Sequence, residues 1–72
     1  MNIFVFKTNI GTKKLVEALK PVFGRQRAIS RWSVDIEDID NVMRVVTRSK
    51  LLEVDIIKMV RGLGFECEVL ES

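Results

Sequence analysis

The chain has 72 residues, 47% of them hydrophobic, and its twelve basic and ten acidic side chains leave a net charge of +2. A chain this short makes one small domain with a thin core, burying roughly 60% of its unfolded surface, and its apolar share excludes a disordered segment. One cysteine excludes an internal disulfide, and the lack of histidine removes the commonest general base.

Met1 to Lys7 reads as a strand, rich in Ile, Val and Phe. Four successive apolar residues, Ile3 to Phe6, blur the alternation and predict a central strand touched on both faces. That run is far shorter than a signal core or a span of about 20 residues, so a soluble, cytoplasmic protein with no membrane partner is expected. Gly11 and Thr12 break the strand, and Thr12 is a good helix N-cap. Leu15, Leu19 and Val22, with Val16 and Phe23 beside them, form one apolar helical face. Lys13, Glu17 and Lys20 lie opposite, with Lys13 and Glu17 spaced as an i,i+4 pair. Pro21 cannot continue the ladder, which predicts a regular helix ending near Lys20 and a loose turn to Gly24.

Residues 28–36 alternate: Trp32, Val34 and Ile36 face one way, Arg31, Ser33 and Asp35 the other. The polar turn 37–41 joins them to a β-branched return strand at 42–47. A second helix follows in 51–64, with Leu52, Ile56, Val60 and Leu63 on its apolar face. Ser49 is a potential cap, or the start lies two or three residues later. Gly62 and Gly64 give a left-handed stop. The last strand, 65–70, points Phe65, Cys67 and Val69 inward and Glu66, Glu68 and Leu70 outward. The order β-α-β-β-α-β predicts an α+β, ferredoxin-like two-layer sandwich over 1–72: a four-stranded antiparallel sheet with two helices on one face.

The stretches "WSVDIEDIDNVMRVV" and "IIKMVRGLGFECE" resemble the heavy-metal-associated domain family, which includes small copper chaperones and the N-terminal modules of metal-transporting ATPases. "WSVDI" fills the family's V-x-V-D-L strand. Ile56, Ile57, Val60, Gly64 and Phe65 fill its second-helix end, and Leu15, Leu19 and Gly24 match its first helix. The family holds a soft ion such as Cu(I) on the two thiolates of an M-x-C-x-x-C loop before the first helix. Aligned on Leu15, Leu19 and Gly24, that loop is Thr8, Asn9, Ile10, Gly11 and Thr12, with Thr8 and Gly11 at the cysteine positions. No cysteine precedes residue 67. The resemblance implies a member without its metal-binding thiols, with no metal ligands and no cofactor.

Other chemistry is sparse. Cys67, Met43, Met59 and Met1 are the soft donors that remain; Cys67 reads as a buried small hydrophobe and Met59 as core filling. Asp35, Glu37, Asp38 and Asp40 lack calcium-loop spacing and read as a solvated turn. "VMRVVT" has no aromatic of the kind that RNA-recognition sheets stack bases on, which weighs against nucleic acid. Trp32 reads as core packing.

Charge is uneven. Residues 1–34 hold seven basic side chains against Glu17 alone, a net +6, and residues 35–72 hold five basic and nine acidic, a net −4. By resemblance to chaperones that dock charged partners, Lys13, Lys14, Lys20, Arg25 and Arg27 are the expected docking surface. The expected function is a non-enzymatic module for an acidic protein partner. The alternatives are a copper or zinc protein with a rebuilt site and a regulatory module for a small molecule or nucleic acid. Basic Arg31 and acidic Glu66 and Glu68 on outward strand positions also allow weak homodimerisation.

Overall fold

The computed structural model describes residues 2–48 and 50–70. Its elements are β1 (Asn2–Thr8), α1 (Lys13–Glu17), α2 (Lys20–Gly24), β2 (Ile29–Val34), β3 (Met43–Thr47), α3 (Glu53–Gly62) and β4 (Cys67–Val69). The strands form one antiparallel sheet in the order β2-β3-β1-β4. The expected ferredoxin-like topology is therefore present, with β1 central. The predicted first residue of β1, Met1, and the proposed cap Ser49 lie outside the described residues.

The core lies between one face of the sheet and the helices. Phe6 from β1, Met43 and Val45 from β3 and Cys67 from β4 meet Leu19 and Phe23 from the first helical arm and Ile56 and Val60 from α3. The opposite sheet face is open: Ile3 is 65% exposed and Arg44 is exposed. The apolar run of β1 thus marks its central position rather than cover on both faces.

The first helical arm is two short pieces, not one helix with a frayed end. Thr12 caps α1, its Oγ1 accepting from Leu15 N at 3.2 Å. The chain then turns at Ala18 and Leu19, and Pro21 sits in the first turn of α2, where its missing N–H costs nothing. The break comes before the proline because the tight turn carries Leu19 into the core, fully buried. Glu17 pairs with Lys20 at 3.0 Å rather than with Lys13.

β2 is shorter than predicted and carries a bulge at Ser30: Ile29 opposes Thr47 and Arg31 opposes Val46. The extra residue puts Ile29 and Trp32, three apart, on the same core face. The α3 helix starts at Glu53, with Leu52 in the cap position and its N–H donated to Asp55 Oδ2 at 3.0 Å. Leu52 and Leu63 therefore fall outside the helix and are 66% and 39% exposed, correcting their assignment to its apolar face. At the other end, Gly64 alone is left-handed, at φ 93°, while Gly62 remains helical. Gly64 N bonds Arg61 O and Phe65 N bonds Val60 O, the two bonds of a Schellman stop. Val69 is 39% exposed because β4 is an edge strand, and Leu70, expected to be outward, is half-buried.

Candidate functional site

The loop from Thr8 to Thr12 joins the end of β1 to α1, and each of its residues has a structural task. Thr8 is buried; its Oγ1 donates to Asn41 O at 2.7 Å and accepts from Ile10 N at 3.1 Å. Asn9 Oδ1 accepts from Glu66 N at 2.9 Å, tying the loop to the start of β4. Ile10 is fully buried in the core, and Thr12 caps α1. Gly11 is exposed, and a Cβ there would lie 3.4 Å from Asn41 Oδ1.

The hairpin turn braces this loop from the far side. Asp35 Oδ1 accepts from Glu37 N and Asp38 Oδ1 from Asp40 N, so two of the four clustered carboxylates hold their own turn. Asp40 also pairs with Lys7 at 3.6 Å. Asn41, at φ 42°, turns its carbonyl to Thr8 and donates its side-chain amide to Ile36 O and Asp38 O. Its role is not apparent from loop spacing alone. The usable signal was an Asn at a turn end, the residue type that tolerates a left-handed backbone.

Cys67 is the soft donor nearest the loop. It opposes Thr8 in the β1–β4 ladder and lines a cleft of about 500 Å³ with Lys7, Arg61 and Phe65. Burial pushes its thiol up to about 11, with Arg61 pulling down and Glu68 pushing up. At neutral pH the thiol therefore holds its proton in the metal-free protein. Met43 is fully buried, and Met59 packs half-buried against the core. Among the described residues, no three of Asp, Glu and Cys gather closely enough to hold an ion.

The fold has a close structural counterpart. The chain superimposes on the yeast copper transporter domain CCC2A, solved in solution in apo and Cu(I)-loaded states, with a TM-score of 0.82 and 11% identity. The match covers 99% of this chain and 97% of that one. This is a heavy-metal-associated-like fold. No family model and no curated protein matches the sequence.

The loop from Thr8 to Thr12 offers a hydroxyl at Thr8 with both hydrogen bonds made inside the protein and, at Gly11, a residue without a side chain. That donor set does not fit a soft ion, which wants deprotonated sulfur. The basic residues are placed differently. Lys13, Lys14 and Lys20 lie exposed on α1 and α2, and Arg25 and Arg27 lie exposed in the turn that follows. Of these five, Lys20 alone forms an ion pair among the described residues. No described helix is long and apolar enough to cross a membrane.

Proposed function

We propose that the protein is a non-enzymatic docking module of the cytoplasm that holds an acidic protein partner on its first helical arm, a thiol-free relative of heavy-metal-associated domains. The observation that carries this reading is the run of exposed cations, Lys13, Lys14, Lys20, Arg25 and Arg27, beside a loop whose Thr8 and Asn9 side chains are committed to backbone groups of the protein. Four of the five cations have no carboxylate partner among the described residues, so a partner's acids would meet unneutralised charge. Exposed rim charges set association rate and choice of partner more than raw affinity, and salt screens them.

The test is capture by immobilised protein, with the captured chains identified by mass spectrometry. The triple variant K13E/K14E/K20E loses an acidic partner that wild type holds at low salt. A control reversal of Arg44 on the open sheet face keeps it. Equal capture by wild type and triple variant rejects the surface.

One observation favours a second reading, metal binding through a rebuilt site: the likeness to a domain solved with Cu(I). Native mass spectrometry after titration with Cu(I) or Zn(II) separates the two. Stoichiometric retention against a weak competitor supports the metal reading and overturns the first.

A further inference from the structure

A second cleft lies at the opposite end of the sheet from the Thr8 loop, where β2 begins and β3 ends. Its volume is about 660 Å³, and Phe23, Trp32, Gln26, Arg27 and Arg48 are among the residues lining it. Three observations set it apart.

Its floor is a fixed aromatic pair. The Phe23 and Trp32 rings meet edge to face, with centroids 5.1 Å apart and planes at 80°. Phe23 is buried and Trp32 half-buried, so the packed phenyl edge holds an indole that still reaches the surface. The indole N–H makes no hydrogen bond among the described residues and is not a buried unsatisfied group there. Two guanidiniums stand at the rim. Arg27 comes from the turn after α2 and Arg48 from the end of β3. The backbone bond from Arg48 N to Ala28 O, at 2.7 Å, ties these two segments together. Finally, among the described residues no carboxylate lines the cleft and neither arginine is ion-paired. Two cationic side chains lining one cleft without a counter-ion favour an anion there, and guanidinium forks suit phosphate geometry.

We infer that this cleft binds a nucleotide, with the phosphate at Arg27 and Arg48 and the base on the indole of Trp32. Phosphate alone would leave the aromatic face unused, and a neutral ring would leave the arginines unneutralised. The volume lies in the range of small-molecule sites, and base–indole stacking adds affinity without demanding one particular base. The inference goes beyond the acidic-partner reading: the two surfaces share Arg27, but Trp32 and Arg48 stand outside the docking cations, and K13E/K14E/K20E leaves the cleft intact.

Trp32 is the single tryptophan, and the chain has no tyrosine, so indole emission reports this site alone. Adenosine monophosphate is the probe. It quenches Trp32 emission saturably, while adenosine and inorganic phosphate, each carrying half of the ligand, bind at least about tenfold more weakly. Arg48→Gln weakens binding by about tenfold, the loss expected for a charge-assisted hydrogen bond. Gly24 also lines the cleft, and a Cβ on it meets nothing within 4 Å. Gly24→Met therefore folds normally, with an unchanged urea midpoint, and blocks the ligand. A short single-stranded oligonucleotide distinguishes the sources. Binding tighter than the monophosphate, with steep salt dependence, identifies a strand; equal binding identifies a free nucleotide. Absence of saturation with both probes overturns the inference, and so does wild-type affinity in folded Arg48→Gln and Gly24→Met.

Discussion

Thr8 and Cys67 oppose each other across the β1–β4 ladder, and both are buried, at 7% and 2% exposure. The hydroxyl is engaged twice by backbone groups, and the thiol is kept neutral by burial. Sulfur does occur beside the loop, but as a single buried thiol on the adjoining strand.

Thr8→Val keeps the shape of the side chain and removes both hydrogen bonds. It leaves Asn41 O and Ile10 N without their partner in a buried setting, so it costs about 1–3 kcal/mol. Thr8→Ser restores most of the loss. Urea unfolding of the three proteins checks this; equal midpoints for wild type and Thr8→Val would show that water replaces the hydroxyl.

The raised pKa of Cys67 makes stability depend on pH in a defined window. The unfolded thiol ionises near 9.0 and the folded one near about 11. The folded state therefore holds its proton longer. This contribution is whole below pH 9 and is lost as pH climbs toward 11, by about 3 kcal/mol in all. Cys67→Ala removes the window, so the stability difference between wild type and variant shrinks from pH 8 to pH 11. A difference independent of pH would sink the assignment. At pH 7.5 a thiol reagent labels the native protein far more slowly than the denatured chain.

Gly62 and Gly64 respond in opposite directions to alanine. Gly64 is left-handed at φ 93°, so Gly64→Ala strains the backbone and costs about 1–2 kcal/mol. Gly62 is helical and a Cβ there meets nothing within 4 Å, so Gly62→Ala gains roughly 0.5–1 kcal/mol. Thermal melts of the two variants give the signs.

The two sheet faces differ as sharply. Phe23→Ala empties a core site beneath Trp32 and costs about 3–5 kcal/mol. Ile3→Thr alters a residue 65% exposed on the open face and stays within about 0.5 kcal/mol of wild type. A large loss for Ile3→Thr would reveal a partner covering that face in solution.

Much of the architecture was legible in the residues. The order of elements follows from alternation in 28–36 and from the spacing of Leu15 and Leu19 and of Ile56 and Val60. Thr12 was legible as a cap because capping is local, satisfied three residues away. The loop's lack of thiols was legible as well. The basic residues stood out as a charge bias, and the exposure of Lys13, Lys14 and Lys20 agrees with helical spacing. Errors gathered at element ends and edges. Leu52, Leu63 and Val69 carry the right periodicity but lie where no neighbouring element covers them. Ser30 shifts the phase of β2 by one residue, a slip that periodicity cannot register.

Sequence by itself determined the sandwich and the absence of sulfur at its lip, because periodicity and residue type act over a few neighbouring positions. Only the tertiary structure decided what stands opposite what. Thr8 finds its acceptor in Asn41, 33 positions on, and Arg48 N finds Ala28 O where β3 ends and β2 begins, which places Arg27 and Arg48 on one cleft. Such pairings depend on strand register and on where each helix stops. Both are fixed by the packing of the whole core, and no local pattern of side chains contains them.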